Sequence, residues 1–381
     1  MNELSGRLKE LKKEIATDSY AMSIGELINL YVDEEMDIHP KFQRLFRWTP
    51  YQKTRFIESI MLNIPIPPIF VSQNEAGVWD VVDGVQRLST IFQFVGKLKD
   101  ENGKVVTPLV LEGTKTIPEF EGISWDPIDE STHSLSQDLK LDFKRSKIVV
   151  NIVKKESDSS AKYELFQRLN TGGSKLSEQE VRNCLMIMSN PVMYDFVNKL
   201  SENDMFVNTT PMSTRMIEEQ YRMELIVRYL IAINCDVSTA KKSGTDLAPF
   251  LNDKILELCN NRSFDFESQK DIFISVLTLL LSISEYGISQ DDVFKKYTDK
   301  FSGAMLSSAY LTITVGLAKR IKHHRDITST EYKKILSNKI KALSSQETFV
   351  KYTANGVRAV DRYVNLISFG EEYFDDEINN G

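Results

Sequence analysis

The chain has 381 residues, of which 41% are hydrophobic and 27% charged. That composition supplies enough apolar material for a sizeable core and excludes a disordered chain or a small disulfide-stapled fold. At about 150 residues per domain the length predicts two or three domains. With 47 Lys and Arg against 54 Asp and Glu, the net charge is −7, so no overall basic field draws the chain to nucleic acid or an anionic membrane. Any anion site must be local.

The three cysteines, Cys184, Cys235 and Cys259, form no Cys-x-x-Cys pair and are odd in number. This argues against a disulfide framework and against a cysteine-built zinc site, and a reducing, cytoplasmic setting is expected. Residues 1–7 are polar and do not develop the apolar core of a signal peptide. The longest apolar stretches, 272–283 and 304–318, contain Ser or Thr and fall short of the roughly 20 residues that span a bilayer. They read as buried helices, and no membrane association is expected.

Residues 1–20 are expected to form an amphipathic helix, because Leu4, Leu8, Leu11 and Ile15 recur at helical spacing with Lys9, Glu10, Lys12 and Lys13 between them. Residues 21–156 read as an α/β domain. Within it, β-rich runs at 69–72, 78–82 and 147–153 alternate with short helical runs. Between residues 96 and 141, Gly103, Pro108, Gly113, Pro118, Gly122 and Pro127 predict loops or short strands.

From a join near Ser157, residues 157–369 read as a helical domain, with helices expected over 161–169, 177–189, 216–234, 246–258, 269–284, 304–322 and 331–342. Asn190-Pro191 stops one of them, since proline disfavours helical geometry in the residue before it. Residues 370–381 carry five carboxylates within 371–377 and read as an exposed acidic tail.

Three clusters can carry chemistry. In the first, a strand over 78–82, the turn Asp83-Gly84 and a helix over 86–95 make a strand, glycine turn, helix junction. Such a junction aims free backbone N–H groups and the positive helix end at one spot, a natural anion site. Arg87 in the first turn strengthens this, Asp83 can hold a metal ion or orient a water, and Gln86 can bind a phosphate oxygen or position that water. An ordinary Asp-Gly turn with an Asp83–Arg87 ion pair accounts for the same residues.

The second cluster runs from Lys41 to Pro50. Thr49 is a helix N-cap with Pro50 at the first position, and the following helix buries Phe56, Ile57, Ile60 and Met61. Arg44, Arg47 and Trp48 suit a phosphate and a stacked base, while a core role for Phe46 and Trp48 is the commoner arrangement. The third cluster spans Phe166 to Asn183. Asn170, Gly172 and Gly173 end one helix and Ser177 with Glu180 boxes the start of the next, so that Arg168, Asn170 and Lys175 sit on a sharp loop able to wall a phosphate pocket or simply to join two helices.

Taken together, Phe42-Gln43-Arg44 with Trp48, the run from Phe56 to Phe70, Val82-Asp83-Gly84-Val85-Gln86-Arg87-Leu88, and Arg168-Leu169-Asn170-Thr171-Gly172-Gly173 with Glu180-Val181-Arg182-Asn183 resemble the N-terminal domain of GmrSD-type (type IV) restriction endonucleases. The resemblance implies a ParB/sulfiredoxin-like α/β domain whose D-G-Q-Q-R motif forms a nucleotide-phosphate pocket, followed by an all-α domain. It also implies binding or hydrolysis of a nucleoside triphosphate, GTP or ATP with Mg²⁺, coupled to bacterial defence against foreign DNA.

Carried over, Asp83, Gln86 and Arg87 take the catalytic positions and Asp83 the metal position, while Gly84, Arg87, Gln43, Arg44, Arg168 and Asn170 contact nucleotide. Val85 departs from the motif by replacing its first glutamine, which keeps open a second function: a non-hydrolysing DNA- or protein-binding module with a degenerate pocket. Relatives that cut DNA are linked to an H-N-H nuclease. This chain has only His39, His133, His323 and His324, in no such arrangement, so a partner nuclease or effector is expected. The basic stretch 319–325 is the best phosphate-backbone candidate for any DNA contact, though cations also suit the end of a helix.

Overall fold

The structure, a computed structural model, describes residues 17–38, 48–74, 76–100, 102–154, 177–240, 246–323, 325 and 327–375. Most of the expected N-terminal amphipathic helix, the segment 39–47 with Gln43 and Arg44, and the segment 155–176 with Arg168, Asn170 and the join near Ser157 lie outside the described residues. The chain divides into two compact units, Met1–Lys175 and Leu176–Gly381.

The first unit is α/β. Its elements in order are β1 (Thr17–Ser23), α1 (Ile24–Val32), β2 (Met36–Asp37), α2 (Pro50–Met61), β3 (Ile69–Gln73), β4 (Trp79–Asp83), α3 (Val85–Phe94), β5 (Ile123–Ser124), β6 (His133–Ser134), α4 (Gln137–Arg145) and β7 (Lys147–Val153). The main sheet is mixed, in the order β1-β7-β3-β4-β2. β1 pairs antiparallel with β7 from Thr17↔Val153 to Ser23↔Lys147, β7 runs parallel to β3, and β3 pairs antiparallel with β4 across a register shift at Phe70/Val71.

Strand β7 shows why the sheet forms: Ile148, Val150 and Ile152 are buried while Lys147 and Val149 are exposed, the two-residue alternation of a strand with one covered face. Helix α2 starts at a capping box in which Thr49 accepts from the Gln52 N–H and the Gln52 side chain accepts from the Thr49 N–H; with Pro50 at its first position, no N–H is lost there. α3 buries Leu88, Ile91, Phe92 and Phe94. Tyr31 of α1 stacks on Phe92 with ring centroids 4.2 Å apart, and Phe94, Trp125 and Phe143 meet edge-on or tilted at 5.6–5.7 Å.

The second unit is helical, as expected. It runs α5 (Glu178–Ser189), α6 (Pro191–Ser201), α7 (Asp204–Thr209), α8 (Thr214–Glu218), α9 (Tyr221–Asn234), α10 (Leu247–Asn260), α11 (Phe266–Ser282), a two-strand ribbon β8 (Lys296–Tyr297) and β9 (Phe301–Ser302), α12 (Ser307–Lys322), α13 (Thr330–Ala342), α14 (Glu347–Thr353) and α15 (Ala359–Asp375). Ser177 and Glu180 form the expected capping box of α5. Asn190 ends α5 and begins α6: its side-chain oxygen accepts from the N–H groups of Val192 and Met193 at 3.1 and 3.2 Å, and its amide donates to the Cys259 carbonyl of α10 at 2.9 Å.

Three expectations are corrected. Residues 17–20, expected to close the N-terminal helix, instead begin strand β1 and pair with β7. The single helix over 216–234 is two helices, because Gln220 takes a left-handed conformation with φ +58° and breaks the ladder between α8 and α9. The acidic segment from 370 is not an exposed tail as far as Asp375 but the last turns of α15. Phe374 is fully buried, Glu371 pairs with Lys319 at 2.9 Å, and Asp375 pairs with Arg325 and His323, both at 3.4 Å. α15 lies along α12, where Gly316 faces Gly370 and Phe374.

Candidate functional site

Strand β4 ends at Asp83, and Gly84 turns the chain into α3 with φ +100°. Only glycine fits, for two reasons: the positive φ, and a Cβ there would stand 2.9 Å from Ile69 Cγ1 on the neighbouring strand. Gly84 is the N-cap of α3 and no side chain caps this end. Gly84 thus supplies no side-chain acceptor to the first backbone N–H groups of the helix, which carry the positive end of its dipole.

Arg87 lies one turn in. Its Nη2 donates to Asp83 Oδ2 at 2.8 Å, and its Nη1 donates to the Pro68 carbonyl at 3.1 Å and to that of Pro67. The guanidinium is thus held between a carboxylate and two carbonyls, with the Arg87 side chain 12% exposed and that of Asp83 45%. Gln86 Oε1 accepts the Trp48 backbone N–H at 3.0 Å, tying the turn to the chain just ahead of α2. The Trp48 ring packs edge-on to Phe56 at 5.3 Å, so its indole is packed against α2. Beside them Lys53 donates to Gln93 at 2.7 Å, and burial pushes its ammonium pKa down.

Asp83, Gly84, Gln86 and Arg87 are therefore brought to one turn, while Gln43, Arg44, Arg168 and Asn170 lie outside the described residues. Val85, the departure from the motif, is 4% exposed and packs into the core. Sequence reasoning missed the carbonyls of Pro67 and Pro68 and the Trp48 N–H. The signal was the Pro67-Pro68 pair, which leads into β3 next to β4.

The basic stretch at the end of α12 is engaged elsewhere. Lys319, His323 and Arg325 face acidic groups of α15, and the Arg320 guanidinium sits 4.1 Å over the Tyr332 ring. These contacts close the helix end and fit the dipole reading of this stretch. Among the described residues no three His, Cys, Asp or Glu side chains gather in a group that could hold a metal, and no helix is long and apolar enough to cross a membrane.

A mixed α/β sheet with a glycine turn opening onto an uncapped helix, followed by a helical unit, is the architecture expected of the motif. Residues 24–187, a little under half of the chain, match the family model described as GmrSD restriction endonuclease, N-terminal domain. Comparisons with curated proteins and with solved structures return no match.

Proposed function

We propose that the first unit binds a nucleoside triphosphate by its phosphates at the Asp83–Arg87 turn, as the regulatory component of a bacterial restriction or anti-phage system whose DNA cleavage belongs to a partner nuclease or effector. The observation that carries this reading is the uncapped start of α3 at Gly84, with Arg87 in its first turn. Here helix dipole, backbone donors and a guanidinium share one location, the combination that favours a phosphate.

Asp83 offers one carboxylate, with Oδ2 given to Arg87. A single carboxylate suits a Mg²⁺ that arrives with the nucleotide phosphates rather than a cage of protein ligands. In this reading Arg87 orients Asp83, and Gln86, anchored on Trp48, fixes the angle of the turn. Bound GTP or ATP with Mg²⁺ would supply the chemistry of phosphoryl transfer to water. The mutual engagement of Asp83 and Arg87, with Val85 buried, favours the second reading, in which nucleotide or partner binds without turnover.

Thermal unfolding of the full chain with GTP or ATP and Mg²⁺, wild type against Arg87→Ala, tests the reading. Nucleotide at about 100 times its Kd should stabilise the wild type by about 2.7 kcal/mol, and Arg87→Ala should abolish the shift. No shift with either nucleotide sinks the proposal, and an undiminished shift in Arg87→Ala moves the site elsewhere. Phosphate release separates an NTPase from a binding module. Plasmid DNA incubated with this chain and Mg²⁺ alone should stay intact.

A further inference from the structure

The helical unit contains a cavity of about 380 Å³, within the size range of small-molecule sites, about 300–1,000 Å³. It is remote in sequence from the Asp83–Arg87 turn, and nothing in the nucleotide reading uses it. Its inner wall is Arg182, Glu224 and Arg228. Arg182, 1% exposed, donates its Nε to Gln179 at 2.9 Å and its Nη1 to Asn252 at 3.3 Å, and its Nη2 lies 3.3 Å from Glu224 Oε1. Arg228 Nη2 donates to that same oxygen.

One carboxylate thus faces two guanidiniums, whose side chains are 1% and 18% exposed against 14% for the carboxylate. Arg228 Nε is buried without a hydrogen-bond partner. Three more charges stand at the mouth. Glu178 is exposed, and Arg358 lies 4.0 Å from Asp246 with the two side chains 55% and 90% exposed. Formally the six charges cancel. The mouth charges, however, are hydrated and screened, whereas those on the inner wall interact in a poorer dielectric, so the positive surplus of the inner wall dominates the field inside.

The cavity is also lined by the first residues of α10 (Leu247, Ala248) and of α15 (Ala359, Val360). The Asp246 side chain does not cap α10. Two helix dipoles therefore reinforce the guanidinium surplus. Donors come from three separate elements, an arrangement that suits the several oxygens of a tetrahedral phosphate better than the two of a planar carboxylate.

We infer that this cavity is a binding site for a phosphate group, independent of the proposed triphosphate turn in the other unit. Calorimetric titration of the full chain with inorganic phosphate, and with acetate at matched ionic strength, tests it. The wild type should bind phosphate and not acetate. Arg228→Met should weaken binding about tenfold or more, the loss of one charge-assisted contact. Arg358→Ala, an exposed change that leaves the inner packing intact, should weaken it less but measurably.

Glu224→Gln should act in the opposite direction and tighten binding, because it removes the one inner carboxylate that repels the ligand. In an Arg87→Ala background, which removes any contribution of the other unit's turn, a phosphate signal that responds to Arg228→Met and Glu224→Gln should remain. Absence of phosphate binding in the wild type, equal binding of acetate, or weaker binding in Glu224→Gln would each overturn the inference. Loss of the signal in Arg87→Ala with retention in Arg358→Ala would assign the phosphate to the other unit and overturn it too.

Discussion

The crossing of α12 and α15 sets a quantitative test of the helical unit. A Cβ added at Gly316 would stand 2.2 Å from the Gly370 carbonyl oxygen and 2.9 Å from Phe374 Cβ, and one added at Gly370 would stand 2.2 Å from the Thr312 carbonyl oxygen. Carbon and oxygen tolerate about 3.3 Å, so the two backbones must part by roughly 1 Å. A gap of that size forfeits a quarter to a half of each dispersion contact along the seam, and overpacking of this kind costs about 1–3 kcal/mol or more. Against it stands a gain of about 1 kcal/mol, since alanine is the better helix former. The net expectation for Gly316→Ala is a loss of about 2 kcal/mol, or about 1 M in the urea midpoint at an m value of about 2 kcal/mol/M.

Gly25→Ala is the matched control. It also lies in a helix, but its added Cβ meets Lys144 atoms at 3.5 and 3.7 Å, ordinary contact, so the propensity gain should stand unopposed. The two units report separately, as a chain of two units requires: Trp48, Trp79 and Trp125 are the only tryptophans and all precede residue 176, so indole fluorescence follows the first unit, while far-UV circular dichroism is dominated by the helices. Gly316→Ala should lower the dichroism midpoint and leave the fluorescence midpoint in place. A Gly316→Ala variant as stable as the wild type, or more so, would refute the close crossing.

Gln220→Gly should stabilise the helical unit by about 0.5–1 kcal/mol in urea unfolding, because it relieves a left-handed residue at φ +58° between α8 and α9. Burial pushes the Cys259 thiol up to about 12 and that of Cys235 up to about 11. Native protein at pH 8 should therefore leave both thiols unmodified by iodoacetamide, and unfolding should expose them. The sign of the pH effect follows: below an unfolded thiol pKa of about 8.5 both states are protonated and stability is unaffected, whereas above it the unfolded chain ionises first. Urea midpoints should thus fall as pH rises from about 9 towards 12, and Cys259→Ala should flatten part of that fall.

The signals legible in the sequence were those written within a few residues. Thr49-Pro50, Ser177 with Glu180 and Asn190-Pro191 mark helix ends through side chains that cap backbone groups two or three residues away, and β7 shows its alternation from 147 to 153. The strand, glycine turn and helix of the candidate site were legible for the same reason. What escaped was set by distant partners. Arg87 bonds to carbonyls 19 and 20 residues earlier, which no local spacing encodes.

The last turns of α15 looked like a tail because Gly370 and a run of acids suit a helix poorly. Their reason to be helical is on α12: a glycine opposite a glycine, and Lys319 opposite Glu371. Gln220, conversely, carries no local mark of a break, since glutamine is an ordinary helix former.

Asn190 holds α5, α6 and α10 together through both halves of its amide. Asparagine is normally the residue most prone to chemical ageing: the next residue's backbone nitrogen attacks the side-chain amide, a cyclic imide forms, and aspartate follows. Here the next residue is Pro191, whose nitrogen carries no hydrogen and cannot close that ring. The proline that begins α6 therefore also shields the joint from slow conversion to a carboxylate, which would keep the two bonds to Val192 and Met193 but turn the donor to Cys259 into a repelled acceptor.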